Sequence, residues 1–369
     1  MSNLYENSDE EEDYYDEITI DELETNLINQ GIPAFEQMKS TLIVGQCNFS
    51  ENINVGIASY LLPITYVSPI NSKCSSKNVY PLTPIGNIIS MRIKEKNIGL
   101  ITSEKNSFPN SLSIKMSIGH KYLDCKLCEK LVHFTGVSKE DDITIGANLI
   151  IEHLNKLDDF LTYIKNNRSQ AENTINWVLK MTLGPKETRV NNLEFDTHIV
   201  AQEELYDTIN NNELVIPNCH NKEFTEYLLG YRHRMTDHKD LTNRLLSILK
   251  IENNITTKNI DIISNEVHMI NYNYKLDFRV NRNMVNTIFD GKFGFSTRFD
   301  LDKNSYVALD LPLNDSYVNS KKKSKKHTIL VHKTGSVTQS SPNRTLAKEA
   351  YLKFMALVLT YKDQIKLTE

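Results

Sequence analysis

His120, Cys125, Cys128 and His133 are spaced as metal ligands could be, in an H-x4-C-x2-C-x4-H pattern. Two thiolates and two imidazoles suit tetrahedral zinc. The surrounding residues alternate as a strand does, however, and positions three apart on a strand point to opposite faces. The expectation is therefore that these side chains do not converge on a metal. Cys219-His220 with His233 and His238 is a looser set. For catalysis there is no Walker loop, HExxH, GxSxG or GxGxxG. Nothing in the spacing fixes a nucleophile beside a base, so neither an enzyme nor a cofactor is expected. The remaining chemistry is electrostatic. Lys321, Lys322, Lys323, Lys325 and Lys326 form a basic run, suited to phosphates in a nucleic-acid partner and otherwise a solvated loop.

Charge is divided unevenly along the chain. Residues 1–25 hold eleven acidic residues and no basic one, which leaves 42 basic against 36 acidic residues in the rest. The body is thus mildly basic behind an acidic tail, a balance compatible with a polyanionic partner. The tail has two readings: a solubilising end, or a mimic of DNA charge in which Tyr5, Tyr14 and Tyr15 stand in for base contacts. No apolar run reaches the roughly 20 residues of a membrane span. The N-terminus lacks a basic start followed by an apolar stretch. Five cysteines, an odd count, read as reduced thiols in an intracellular protein.

The elements that would position these groups follow a repeated order. Residues 1–36 read as a disordered acidic tail. TLIVGQCNF is strand-like, INVGIASYLL a short helix, and residues 62–105 a loop insertion with short strands. SLSIKMSI, KYLDCKLC and KLVHFTG read as an antiparallel meander. Ser138 and Asp141 form a capping box for a long helix, whose Ile143, Ala147, Ile150, Ile151, Leu154 and Leu157 share one face. Near the C-terminus a strand (EVHMINYNYKLDF) and a short helix (RVNRNMVNTIF) precede FGFSTRF, SYVALDL, HTILVHK and SVTQS as further strands. A second long helix is expected to start at Ser341-Pro342, proline in its first turn, with Leu346, Ala350, Phe354, Leu357, Val358 and Tyr361 buried. Residues 158–262 between the two sets are helix-rich. Leu241, Leu245, Leu246 and Leu249 form one apolar face there. VHFTG (132–136) and VHKTG (331–335) look alike but fall at different places within the two sets.

LVHFTGVSKEDDITIGANLIIEHLNKL (131–157) resembles the last strand and long helix of the first repeat of TATA-box-binding proteins. FPNSLSIKM (108–116) is similar to that family's Phe-Pro-Gly stirrup and following strand, and TILVHKTGSVTQSS (328–341) to its second-repeat strands. The resemblance covers roughly 70 residues well and about 200 loosely. It implies an α+β fold: two tandem repeats, each a curved antiparallel sheet backed by helices, together a saddle. The segments would be 1–36 (tail), 37–157 (first repeat), 158–262 (helical insertion) and 263–369 (second repeat).

In that family the concave sheet widens the DNA minor groove and phenylalanines wedge between base steps. Carried over by position, Phe108 matches a wedge and Lys115 a basic strand residue. Thr135 and Val44 match groove-facing residues, with His133 and Leu131 on the face of Thr135 by strand alternation. Leu127 falls near the second wedge, Tyr306 (or Phe299) at the third and His332 at the fourth. Ser340 replaces a groove-facing threonine, and Thr338 shares its face. Leu42 stands where a groove-reading asparagine is usual, and Asn265 supplies the other, subject to register. Lys321, Lys322 and Lys323 would meet phosphates.

The resemblance implies a transcription initiation factor that binds AT-rich promoter DNA as a monomer, with RNA polymerase or general transcription factors as protein partners. The Asn-, Ile- and Lys-rich composition and the large insertion resemble the giant-DNA-virus members, which implies the nucleus or a viral factory in host cytoplasm, with packaging in the virion as an extension. The alternative is a saddle-fold interaction scaffold that has lost specific DNA binding. A zinc-stabilised or enzymatic module is the third option.

Overall fold

The computed structural model describes residues 19–65, 81–93, 96–99, 111–183, 220–231, 238–256, 259–300, 305–313 and 326–367. Phe108, Lys321, Lys322, Lys323, Lys325 and Cys219 lie outside these residues, as do His233 and the tail tyrosines.

In chain order the described elements open with helix α1 (Ile20–Asn29) and strand β1 (Ser40–Phe49). Helix α2 (Val55–Leu61) leads to β2 (Ile88–Ile93), β3 (Lys96–Gly99), β4 (Leu112–Ser117), β5 (Tyr122–Leu127) and β6 (Leu131–Val137). Four helices follow: α3 (Asp141–Asn166), α4 (Arg168–Leu183), α5 (Lys222–Tyr231) and α6 (His238–Ile248). Then come β7 (Ile262–Lys275), α7 (Arg282–Phe289), β8 (Ser296–Arg298), β9 (Tyr306–Pro312), β10 (Lys326–His332) and β11 (Ser336–Ser341). Helices α8 (Arg344–Thr360) and α9 (Lys362–Ile365) close the chain.

Three of these elements correct the sequence reading. The segment 19–36 is folded, not disordered. Thr19 and Glu22 form a capping box for α1, Leu23 and Leu27 are buried one turn apart, and Phe35 is 1% exposed. An acidic run hid a short amphipathic helix whose apolar pair has a core to enter. Helix α3 runs on to Asn166, so the expected boundary at 157 falls inside one continuous helix. In α8 the cap is Asn343, whose side chain accepts from the Leu346 N–H at 2.9 Å, and Pro342 precedes the cap. A side-chain acceptor satisfies an orphan donor that proline at the first position would leave to solvent.

The chain forms two compact units. Unit I comprises Met1–Gly45, Gly136–Glu140 and Glu266–Glu369; unit II comprises Gln46–Thr135 and Asp141–Asn265.

In unit II the strands lie in the order β3-β2-β4-β5-β6, with β1 beside β6. The pairs β2–β3, β2–β4, β4–β5 and β5–β6 are all antiparallel. Helix α3 backs this sheet. Gly146 sits so close to it that a Cβ there would lie 2.6 Å from a ring carbon of Phe134 and 3.0 Å from a methyl of Leu123. Cys47, Leu123, Cys125, Val132 and Phe134 are buried on that side, alternating with more open positions. Burial pushes the Cys47 thiol up to about 11. Asp158 of α3 ties down the chain ahead of β7 by accepting from the Ile255 N–H (2.7 Å) and the Thr256 hydroxyl (2.6 Å). Trp177 of α4 packs on His220, ring centroids 5.3 Å apart.

In unit I the order is β7-β11-β10-β9-β8, again with antiparallel pairs. Helix α8 backs it and carries the expected buried stripe. Gln339 of β11 donates to the Ala347 carbonyl at 2.6 Å. Tyr274 packs edge-on against Tyr351 at 5.4 Å. Helix α1 lies along α8, where Lys348 meets Glu24 at 2.6 Å and the Tyr351 hydroxyl donates to the Pro33 carbonyl at 2.9 Å.

Candidate nucleic-acid interface

A strand presents alternate residues to opposite faces, so the face backed by a helix defines the other one. In unit II, Leu131, His133 and Thr135 alternate with buried Val132 and Phe134 and turn away from α3. Cross-strand registers extend this face into two rows. One row is Arg92, Ser113, Lys126 and His133; the next is Ser90, Lys115, Asp124 and Thr135. The first row is basic. In the second, Lys115 meets Asp124 at 3.3 Å, and the Thr135 hydroxyl donates to the Asp124 carbonyl at 3.4 Å. Arg92, Ser113 and Lys126 escaped the sequence reading because only the register of β2 and β4 aligns them with His133.

Leu127 departs from the set. It pairs with Leu112 and Val132, is fully buried, and shares the α3 side with Leu123 and Cys125. Strand alternation puts it on the face opposite Lys126, so the sequence assignment of Leu127 to the open face is corrected by one residue. The register that the sequence left open at Asn265 is given by its contact. Its side chain donates to the Thr144 hydroxyl of α3 at 2.6 Å, on the helix side. Its neighbour Ser264 instead accepts from Asn48 at 2.6 Å, and Asn48 accepts from Gln46 at 2.7 Å. Gln46 and Asn48 alternate with buried Cys47, whose thiol points to the Ile143 carbonyl of α3. The polar groups on this side of β1 are therefore Gln46 and Asn48.

Burial, followed by the charge of Asp124, drives the Cys125 thiol well above its ordinary value. Among the described residues no group of three or more His, Cys, Asp or Glu is placed to hold an ion.

In unit I, Val44 of β1 is half-buried and alternates with buried Ile43. Thr338 and Ser340 of β11 alternate with buried Val337 and Gln339, turned away from α8. Three registers run across this face: Asn271, Ser340, Thr328, Asp310 and Ser296; Asn273, Thr338, Leu330, Ala308 and Arg298; and Tyr306 with His332. Tyr306 and His332, placed by sequence at two wedge positions, pack edge-to-face at 5.6 Å where β9 begins and β10 ends. Phe299 lies under Arg282 of α7, whose guanidinium is 5.1 Å from the ring centre.

Asp310 was absent from the sequence reading. Its carboxylate accepts from Arg298 at 2.5 and 3.1 Å, from Lys326 at 2.7 Å and from the Thr328 hydroxyl at 2.8 Å. Burial by itself would raise its pKa, but these hydrogen bonds outweigh it and the net shift is downward. Lys326 is the last lysine of the basic run and the first residue of β10, so its ammonium is engaged within the sheet. Across β10, His327 faces α8. It is 2% exposed, its Nδ1 lies 2.9 Å from the Ser341 hydroxyl, and burial lowers its pKa to about 4.

The described residues thus form a mixed α+β protein in which helices back an antiparallel sheet in each unit. No protein-family model and no curated protein matches the chain. Among solved structures it is similar to the TBP of Methanococcus jannaschii, at 10% sequence identity and a TM-score of 0.31, over 88% of this chain and 98% of that chain. A likeness that distant leaves function to the residues of this chain. Among the described residues no helix is long and apolar enough to cross a membrane.

Proposed function

We propose that the chain is a DNA-binding protein of the TATA-box-binding type that acts in transcription initiation, recognising AT-rich promoter DNA through the helix-free sheet faces of two tandem repeats. The observation that carries this reading is the Tyr306–His332 ring pair where β9 begins and β10 ends, on the same face as Leu330, Thr338 and Ser340. The minor groove offers a degenerate set of acceptors. Small hydroxyls and apolar side chains can lie against it while an aromatic edge enters a base step. Leu131, His133, Thr135, Lys115 and the row of Arg92 and Lys126 supply the matching surface of unit II, and Val44 belongs to that of unit I. Phe108 and the run Lys321, Lys322 and Lys323 belong to the same reading. RNA polymerase or general transcription factors would dock on the helices, including the 158–262 insertion. The protein acts by binding and not by catalysis. The acidic residues 1–18 would serve either as a solubilising end or as a DNA mimic. A giant-virus origin, with action in a viral factory, is the narrowest form of the proposal and rests on composition and the large insertion.

A second reading, a transcription scaffold that has lost specific DNA binding, is favoured by three features. Leu127 is buried, Asp310 puts a carboxylate on the unit I face, and Lys115 is paired with Asp124. Titration of an AT-rich duplex and a GC-rich control across a salt series separates the two, using wild type, Tyr306→Ala and Phe108→Ala. The DNA-binding reading requires AT preference, weakened on the order of tenfold by each substitution, the scale of one lost aromatic–base contact. Binding without AT preference, or none, moves the assignment to the scaffold.

A further inference from the structure

A surface meant for a polyanion has little electrostatic use for a buried carboxylate, yet the unit I face is built around one. The Asp310 side chain is 5% exposed, while those of Arg298 and Lys326 are 61% and 46% exposed. One carboxylate oxygen accepts from Arg298 Nε and Lys326 Nζ, the other from Arg298 Nη2 and Thr328 Oγ1. That fills the acceptor capacity of a carboxylate. The three participating strands are held in register, with Ser296 and Thr328 both opposite Asp310. The cluster therefore ties two cations to one fixed anion on β9, one strand in from the edge strand β8.

We infer that Asp310 is a specificity-determining residue: it holds Arg298 and Lys326 to the sheet, so that this face does not bind DNA phosphates indiscriminately. Non-specific DNA affinity comes almost entirely from Lys and Arg neutralising phosphates, and each neutralised phosphate steepens the salt dependence by about 0.9 in slope. Two cations engaged by Asp310 contribute little to that term. What remains in contact with DNA is the groove-reading set of Leu330, Thr338 and Ser340, whose contribution depends on sequence and groove width. Asp310 thus trades overall affinity for a larger ratio of specific to non-specific binding. The inference rests on the DNA-binding reading of this face.

The test is the salt dependence of full-length protein on a GC-rich duplex for wild type, Asp310→Asn, Lys326→Gln and the double variant. Asp310→Asn is expected to bind about tenfold tighter at low salt, with a slope steeper by about 1 to 2. Lys326→Gln is expected to change the wild-type slope by less than about 0.3, but to lower the Asp310→Asn slope by about 0.9. A purely structural Asp310 would move thermal stability and leave the slope alone, which overturns the inference. So does weaker binding by folded Asp310→Asn. Where Asp310→Asn fails to fold, Lys326→Gln in the wild-type background decides: a slope loss near 0.9 means that Lys326 already meets phosphate, and the inference falls. Wild type without AT preference but with the Asp310→Asn gain removes the proposed function and keeps only the restraint of Arg298 and Lys326 by Asp310. AT preference with an unchanged slope does the reverse.

Discussion

VHFTG at 132–136 and VHKTG at 331–335 differ in one residue and are used for different ends. In the first, the strand β6 continues through all five residues, and Phe134 is fully buried beneath Gly146 of α3. In the second, β10 stops at His332, Lys333 and Thr334 form a turn, and Gly335 closes it with its N–H donating to the His332 carbonyl at 2.9 Å. The third residue decides. Phenylalanine continues the alternation into a core that has room for a ring. Lysine cannot enter such a core unpaired, so the chain leaves the sheet and its backbone is used instead. The Lys333 and Gly335 carbonyls accept from Val280 and Leu276 N–H groups. Local identity of four residues in five thus says less about structure than what waits on the helix side.

The two glycines give the sharpest way to break this comparison. Gly335 has φ +82°, and a Cβ there would stand 2.3 Å from the Phe278 carbonyl oxygen and 2.9 Å from that of Leu276. Both are backbone atoms, so no side-chain rotation relieves the clash. Gly335→Ala is expected to lose about 4 kcal/mol, combining a left-handed alanine with displacement of the 276–278 segment. Denaturant melts of wild type and variant measure it. A loss below 1 kcal/mol would mean that the turn does not pack on that segment.

The next largest effect belongs to unit I and depends on pH. His327 precedes the VHKTG segment on β10, and burial lowers its folded value from an ordinary 6.5 to about 4. Glu349 opposes this shift and Lys353 adds to it, both from α8. Between those values the unfolded chain binds a proton that the folded chain does not. The contribution of His327 is therefore complete above pH 6.5 and disappears as pH falls towards 4, an effect of about 3 kcal/mol. Carboxylates titrate in the same interval, so the control is His327→Gln. Its stability between pH 7 and 4.5 should fall less steeply than that of wild type. Parallel curves would show that the imidazole takes its proton inside the fold without penalty.

Legibility from sequence followed the same division between local pattern and distant neighbours. The stripes of α3 and α8, the short helices α2 and α7, and the strands β4 to β6 and β9 to β11 were readable, because their periodicity lies within each segment. Helix α1 was not, although Thr19, Glu22, Leu23 and Leu27 carry the cap and the apolar pair; the acidic residues around them dominated the composition. Leu127 and Asn265 turn to the helix side, which sequence alone does not fix, since a one-residue slip reverses every side chain of a strand. Asp310, Arg92 and Lys126 had no local signal. Asp310 sits in SYVALDL as an ordinary interruption, and its partners are 12 and 16 residues away on two other strands. Tyr306 and His332, by contrast, fall at two separate wedge positions by sequence, and their rings meet.

The smallest effect tests the other half of the opening comparison. Gly136 has φ +74°, nearly the angle of Gly335, but a Cβ built on it meets nothing within 4 Å. It follows exposed Thr135 within β6, one residue before that strand ends at Val137. Gly136→Ala is expected to cost about 1 kcal/mol, the penalty of a left-handed alanine alone. The difference between the two glycines, about 3 kcal/mol, isolates backbone crowding, because their backbone angles are nearly matched. Equal losses in the two melts would show that φ alone governs both sites. A loss at Gly136 as large as that expected at Gly335 would mean that an alanine there meets neighbours across β6, and the contrast between VHFTG and VHKTG would no longer hold.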